Sequence, residues 1–251
     1  MIFFAMLVLG WLLGCVGAGG AGLTITLLTV GFAVPIHTAI AVSLSCMTFT
    51  VASGTVSHYR EGEVLVRLGA AVGAAGIFGA LFGSSLAFQI RPKLLTPATA
   101  IMLLLTTALL YLQLFRRDLI AGYIERNKST ATGSQFYIRS CAIGLLTGFL
   151  SGAFGIGATA FIQISLMMFF GVSLYHAIGT TMMIILPIAA SGGLNYLFSG
   201  MLDSVVFIQT LAGLTIGSFI GAKFTHLIPK DRLRYLMISM PLIGGLLLLM
   251  H

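Results

Sequence analysis

Charged residues are scarce in this chain of 251 residues, where Asp, Glu, Lys and Arg together make up only 8%. A soluble domain carries about 25% charged residues, so this chain has too few to cover a soluble globule. The scarcity excludes a soluble enzyme, a soluble nucleic-acid-binding domain and a disordered chain. The net charge of +7 is then explained by basic residues in short loops, which orient a chain in a bilayer.

Residues that form catalytic or metal sites are also rare. The three cysteines all lie in apolar stretches, and an odd number placed in this way gives neither a disulfide framework nor a metal-ligand spacing. Acidic residues and histidines form no intramembrane cluster of the kind that a membrane enzyme needs. The sequence therefore predicts no catalytic residue, no metal site and no cofactor, and we expect a protein that is not an enzyme.

Apolar sequence is what the chain has in abundance: 58% of its residues are hydrophobic, and the mean hydropathy is +1.08. A helix needs about 20 apolar residues to cross the hydrocarbon core of a bilayer. No stretch alternates in the manner of a strand, so we predict an all-α polytopic membrane protein. Six stretches fit one crossing each: residues 37–58, 65–88, 94–115, 174–198, 204–226 and 233–250.

Two further apolar stretches, residues 1–35 and 140–171, are too long for one crossing. Each runs for more than 30 residues without Lys, Arg, Asp or Glu, and closely spaced glycines interrupt each near its middle. Glycine inside a helix costs about 1 kcal/mol relative to Ala. We therefore expect each stretch to be a re-entrant hairpin that turns at its glycines, with second half-helices at about residues 21–33 and 158–170.

The chain contains an internal repeat with an offset of 138 residues. Four glycines of each hairpin stretch match at this offset, and so do the Ala-Ser-Gly tripeptides at 52–54 and 190–192, whereas Gly20 and Gly22 fall on Ala158 and Ala160. A constant offset over a long stretch indicates a duplicated unit. The sequence thus predicts a first repeat over residues 1–115, a connecting loop over 116–139 and a second repeat over 140–251.

The distribution of Lys and Arg predicts the topology. If each glycine-rich stretch returns to the side on which it entered, eleven of the 13 basic residues lie on one side; if each crosses once, the division is seven against six. The first arrangement obeys the positive-inside rule and puts residues 116–139 in the cytoplasm and both termini outside. Each repeat then crosses three times, so the repeats have inverted topology, as in many secondary transporters.

The hairpin tips are the predicted binding site. Half-helices of about 14 residues bring both tips near the bilayer midplane, where the unbonded N–H groups and the dipole of a helix start attract an anion. No Lys or Arg lies at this depth, so backbone dipoles and hydroxyl groups would hold the anion. The predicted substrate-binding residues are Gly17, Gly19, Gly20, Gly22, Thr24, Ser43, Thr48, Gly155, Gly157, Thr159, Gln163, Thr180 and Thr181.

These residues have structural interpretations as well. Glycines in membrane helices permit close helix packing, which is the simpler interpretation of the four-residue glycine spacings within 69–83 and 213–221. Serine and threonine hydroxyls commonly bond to the carbonyl four residues earlier. His37, His58 and His176 are the only candidates for proton coupling, and all three lie at predicted membrane interfaces.

The glycine pattern resembles that of a known family. The spacing Gly-x-x-x-Gly-x-x-Gly-x-Gly occurs from Gly10 to Gly19 and again from Gly148 to Gly157, and each copy is followed by Ala-Ile and then by Ala-Ser-Gly. In this the chain resembles the TauE/SafE sulfite exporter family, also called the TSUP permeases, over nearly its whole length. The resemblance implies transport of sulfite, sulfonates or related small sulfur-containing anions across the bacterial inner membrane.

We therefore expect an inner-membrane transporter that exports sulfite or an organosulfonate, with the small anion and the lipid bilayer as its partners and no nucleic acid. A transporter or channel for small carboxylates and a membrane assembly factor without transport are the alternatives. The sequence leaves open which anion is carried, the direction and coupling of transport, and whether the protein forms a homodimer.

Overall fold

The computed structural model describes residues 1–16, 21–115, 133–224 and 230–250, and these residues form ten helices and no β-strand. The helices are α1 (Ile2–Val16), α2 (Ala21–Thr26), α3 (Ile36–Arg60), α4 (Val66–Ala87), α5 (Pro92–Phe115), α6 (Ser134–Phe154), α7 (Thr159–Phe170), α8 (Leu174–Phe198), α9 (Ser204–Phe224) and α10 (Lys230–Met250). A π-helical turn, Leu27–Gly31, continues α2 towards α3. The predicted all-helical fold class is thus confirmed.

Among the described helices, six are long and apolar enough to cross a membrane: α3, α4, α5, α6, α8 and α9. Large apolar side chains cover their outer faces, as at Phe78, Phe82 and Phe198, which are 68%, 68% and 83% exposed. Extended apolar surfaces of this kind mark contact with lipid or with another protein. The chain is therefore a multi-pass membrane protein.

Helix α6 begins earlier than the sequence predicts. Residues 134–139, assigned above to the connecting loop, are its first turns, and its 21 residues exceed the length expected of a half-helix. Packing at this end accounts for the extension, because the ring centroids of Phe136 and Phe170 are 5.6 Å apart and the Arg67 guanidinium lies 5.3 Å from the centroid of Phe136. Residues 116–132 of the predicted loop lie outside the described residues.

The helices recur with the spacing of the sequence repeat. Helices α2, α3, α4 and α5 begin 138 residues before α7, α8, α9 and α10, respectively. Their contacts recur as well: α1 packs on α9 and α6 packs on α4, while α3 packs on α8 and α5 packs on α10. Each half of the chain therefore has its main packing partners in the other half.

Glycines bring two of these helix pairs into backbone contact. A Cβ atom at Gly10 would lie 2.7 Å from the Leu214 carbonyl oxygen of α9, and one at Gly14 would lie 2.7 Å from the Cα atom of Ser218. Glycines of α4 and α6 face the backbone of the opposite helix in the same way. In each pair, residues later in one helix contact residues later in the other. Helix α1 therefore runs parallel to α9, and α4 runs parallel to α6.

Helices α3 and α8 run antiparallel. Gly54, late in α3, faces Met182 early in α8, whereas Ser45 of α3 faces Gly193 late in α8. The chain also reverses between α6 and α7, because Arg139 Nη1 donates a hydrogen bond of 3.0 Å to the carbonyl oxygen of Phe169. The start of α6 therefore lies beside the end of α7, and residues 155–158 form the tip of a helical hairpin.

Candidate functional site

A cavity of about 580 Å³ lies between α1, α3 and α9. Among the described residues that line it, none is Asp, Glu, Lys, Arg or His. The lining instead combines apolar side chains with small neutral polar groups, which suits a ligand held without an ion pair. The polar residues of the lining are Thr24, Ser43, Cys46, Thr50, Ser53, Thr159, Thr215 and Ser218.

The cavity reaches Thr159, the first residue of α7. The preceding tip has a left-handed backbone, with φ of +70° at Gly155, +71° at Gly157 and +47° at Ala158. Ala158 occupies the N-cap position and provides no side-chain hydrogen bond to the helix start, so no cap competes for the N–H groups of the first turn. The positive end of the helix dipole lies at the same place, which makes this part of the cavity suited to a small anion.

The glycines of this tip are needed for space as well as for backbone conformation. A Cβ atom at Gly155 would lie 2.9 Å from Cγ2 of Ile40, and one at Gly157 would lie 2.7 Å from the sulfur of Met47. Met47 itself lines the cavity. A side chain at position 157 would therefore displace the cavity wall at the start of α7.

Three hydroxyl groups of the predicted site line this cavity, and their surroundings differ. Thr24 and Ser43 are each 2% exposed, and Ser43 Oγ donates a hydrogen bond of 3.0 Å to the Ala21 carbonyl oxygen. This contact ties α3 to the start of α2, so Ser43 holds the first turn of α2 against α3. The Thr159 hydroxyl makes no side-chain hydrogen bond to any residue that the structure describes, which leaves it able to donate to a ligand.

A second cavity of about 210 Å³ lies between α2, α5, α7 and α10, and Thr159 lines both cavities. Gly22 and Gln163 of the predicted site lie here. Gln113 of α5, which the sequence does not predict as a site residue, also lines this cavity, and its Nε2 donates a hydrogen bond of 2.7 Å to Gln163 Oε1. In the sequence, the only sign of a role for Gln113 is that a polar amide stands inside an apolar span. The contact between the two glutamines becomes visible only from the packing of α5 on α7.

Five further described residues of the predicted site, Thr48, Gly155, Gly157, Thr180 and Thr181, line neither cavity. Thr48 Oγ1 donates a hydrogen bond of 3.1 Å to the Leu44 carbonyl oxygen, as expected of a threonine inside a helix. Thr180 Oγ1 accepts a hydrogen bond of 3.0 Å from the Leu65 N–H, and Thr181 is fully buried. Gly17, Gly19 and Gly20 lie outside the described residues.

The three histidines that are candidates for proton coupling lie at helix ends and not in the linings of these cavities. His37, His58 and His176 each form a hydrogen bond to a neighbouring group. His58 lies with Glu61 and Glu63 in a group whose possible metal-ligand atoms are within 4.8 Å of one another. Within this group His58 Nδ1 and Glu63 Oε2 are 2.7 Å apart, a contact that stabilises the turn after α3.

Comparison with known proteins agrees with the resemblance noted in the sequence. The family model of the sulfite exporter TauE/SafE matches residues 2–248. The chain is 43% identical over 249 residues, 99% of each chain, to "Probable membrane transporter protein YdhB" of Bacillus subtilis (strain 168). It is 26% identical over 214 residues, 84% of this chain and 79% of the relative, to a "Probable membrane transporter protein" of Xylella fastidiosa (strain 9a5c). No solved structure matches the chain. The chain belongs to the TauE/SafE sulfite exporter family, a family of membrane transporters.

Proposed function

We propose that the protein is an inner-membrane transporter of small anions, and of sulfite or an organosulfonate in particular. The observation that carries this proposal is the 580 Å³ cavity that ends at Thr159, on the uncapped start of α7. An oxyanion bound there accepts hydrogen bonds from the first-turn N–H groups and from the Thr159 hydroxyl. Because no cationic side chain lines the cavity among the described residues, the anion is held without an ion pair and weakly enough to be released.

We further propose two inverted repeats, each with a re-entrant hairpin. The antiparallel run of α3 and α8, which are matched helices of the two halves, supports the inversion. The hydrogen bond between Arg139 and Phe169 supports the second hairpin. The cavity extends along α3 from Ser43 to Gly54, towards Arg60. By the positive-inside rule this end faces the cytoplasm, which supports an inward-facing state as part of the proposal.

The matched region at the other end of the molecule is tightly packed. Helices α3 and α9 enclose the cavity, whereas their counterparts α8 and α4 are in contact: a Cβ atom at Gly73 would lie 3.0 Å from the Pro187 ring. Asn195 Nδ2 also donates a hydrogen bond of 2.7 Å to Ser84 Oγ. A cavity in one region and close packing in the matched region support alternating access over a continuous channel. An inside-negative potential drives an anion outward with about 2.3 kcal/mol per charge per 100 mV.

Flux in proteoliposomes tests this function. We expect labelled sulfite to move in the direction set by an imposed membrane potential, without a proton gradient, and sulfonates to compete with it. If small carboxylates compete more strongly than sulfonates, the substrates are organic acids and not sulfur-containing anions. Absence of flux for every anion would contradict transport and favour a membrane assembly factor.

Cysteine labelling tests the topology, in a background in which Cys15, Cys46 and Cys141 are replaced by serine. Ser199 and Glu61 are exposed residues in turns at opposite ends of the bundle. We expect a membrane-impermeant thiol reagent to label Ser199→Cys in intact cells and Glu61→Cys only after permeabilisation. The reverse pattern would contradict the proposed orientation.

A further inference from the structure

Two amide side chains meet in the second cavity and leave one hydrogen-bond acceptor unused. Gln113 and Gln163 are 4% and 8% exposed, and their one mutual hydrogen bond is 2.7 Å long. Gln113 Oε1 is buried without a hydrogen-bond partner among the described residues. Exchanging the oxygen and nitrogen positions of both amides keeps one mutual hydrogen bond and one unused oxygen, which then belongs to Gln163, while Gln113 keeps an unused N–H group. A buried acceptor of this kind calls for an explanation.

The repeated fold does not require the amide pair. The counterpart of Gln163 in the first half, 138 residues earlier, is Ile25, which is fully buried. Thr106, a further polar residue of the second cavity, donates its hydroxyl hydrogen bond of 2.8 Å to the Met102 carbonyl oxygen. The amide pair is therefore a feature of this cavity and not a part of the repeated helix packing.

The amide pair lies close to the proposed anion site. Thr159 and Gln163 are four residues apart on α7, so they lie on one helix face at about 6 Å along the axis. Both line the second cavity, and Thr159 also lines the first. A distance of about 6 Å corresponds to roughly four or five single bonds. One small molecule can therefore place an anionic group at Thr159 and a second polar group at the amides.

We propose that the second cavity binds the uncharged part of an organic oxyanion, and that the Gln113–Gln163 pair selects ligands that carry a hydroxyl group. A hydroxyl donates to the unused carbonyl oxygen, whereas a second anionic group would be repelled by it. No carboxylate lines the cavity among the described residues, so a protonated amine gains no ion pair there. The apolar remainder of the lining, such as Leu23, Leu103 and Ile178, suits a short carbon chain. This inference rests on the proposed function.

Matched pairs of anions test the selection. In proteoliposomes with labelled 2-hydroxyethanesulfonate, we expect 2-hydroxyethanesulfonate to compete at about tenfold lower concentration than ethanesulfonate, because a site built to bond a hydroxyl rejects the analogue without it. The same order is expected for 3-hydroxypropanoate over propanoate. Gln113→Met removes the acceptor at similar size, and we expect it to reduce the difference to less than about twofold. Thr106→Val is the control in the same cavity and keeps the wild-type ratio.

The outcomes separate this inference from the proposed function. Flux with equal competition by both members of each pair, or an unchanged preference in Gln113→Met, overturns the amide subsite and leaves anion transport standing. Flux of no anion overturns transport. If Gln113→Met carries no flux, thermal stabilisation of the purified variant by each anion decides: loss of the hydroxyl preference relative to Thr106→Val supports the subsite, and retained preference overturns it.

Discussion

At the scale of single residues, Gly157 meets two requirements at once. Its φ of +71° is a conformation that side-chain-bearing residues rarely adopt, and a Cβ atom there would press on Met47 in the cavity wall. We expect Gly157→Leu to lower sulfite flux at least about tenfold, since it fills the start of α7 where the anion is proposed to bind. Initial flux rates normalised to reconstituted protein measure the effect.

Gly171 provides the matched control for this change. Its φ is +63°, and nothing lies within 4 Å of an added Cβ atom. Gly171→Leu therefore has the same backbone strain without the intrusion into the cavity, and it should retain most of the flux. Equal loss in the two variants would show that left-handed strain alone is responsible and would contradict the role of position 157 in the site.

The hydroxyl of Thr159 is the second residue-scale test. Thr159→Val keeps the shape of the side chain and removes the donor, so we expect the sulfite concentration for half-maximal flux to rise about three- to tenfold. Thr48→Val is the control, because that hydroxyl is already bonded to the Leu44 carbonyl oxygen. Identical half-maximal concentrations in Thr159→Val and wild type would remove Thr159 from the site.

Residue types alone predict only some of these roles. A glycine motif followed by a hydroxyl residue points to Gly157 and Thr159, because the glycines indicate the left-handed turn and the threonine supplies the hydrogen-bond donor. The sequence does not separate Thr48 from Thr159, since a hydroxyl is used or free according to its rotamer and its helix face. The role of Gln113 cannot be predicted from the sequence for another reason: its partner, Gln163, is on a different helix.

At the scale of helices, the contact between α4 and α6 depends on glycine. A Cβ atom at Gly148 would lie 2.9 Å from the Gly76 Cα atom, and backbone cannot move aside as a side chain can. We expect Gly148→Ala to lower the midpoint of thermal unfolding in detergent by about 5 °C, because overpacking costs about 1–3 kcal/mol. The gain in helix propensity of about 1 kcal/mol offsets only part of this cost.

Gly54→Ala is the control within a helix. An added Cβ atom would lie 3.6 Å from the Met182 sulfur, an ordinary contact, so the variant should unfold at or above the wild-type midpoint. A Gly148→Ala protein as stable as Gly54→Ala would contradict the close approach of α4 and α6.

Hydropathy and the sequence repeat predict most of the helices and their correspondence between the two halves. The 138-residue offset recurs in the starts of the matched helices, and the four-residue glycine spacings coincide with backbone contacts. The start of α6 at Ser134 was not predicted, because the residues before Ser140 include Arg139 and lack a continuous apolar run. Their helix depends on the ring of Phe136 packing on Phe170, a tertiary contact.

At the scale of the whole molecule, alternating access requires the packed end to open. Ser84 and Asn195, one in each half, are joined there by a hydrogen bond of 2.7 Å. We expect Ser84→Cys with Asn195→Cys, in the background without native cysteines, to lose flux on oxidation and regain it on reduction. A disulfide at this place would prevent the two halves from separating.

The two single-cysteine variants, treated with the same oxidant, control for effects of oxidation itself. Full flux in the crosslinked double variant, with crosslinking verified by mass spectrometry, would contradict movement between the halves and favour a fixed pore. Charge distribution predicts the inverted arrangement, but not which of the two matched regions holds the cavity. The glycine motif occurs in both halves, and the difference depends on packing between α4 and α8.

The exchange of packing partners between the halves has a consequence for biosynthesis. Helices α1, α3 and α4 are complete long before α9, α8 and α6, on which they pack, leave the ribosome. At about 5–20 residues per second, synthesis of residues 116–251 takes roughly 7–27 s. During this interval the glycine surfaces of the first half face lipid or the insertion machinery. A ribosome that stalls between the halves therefore leaves a fragment without partners, which membrane proteases can recognise and remove.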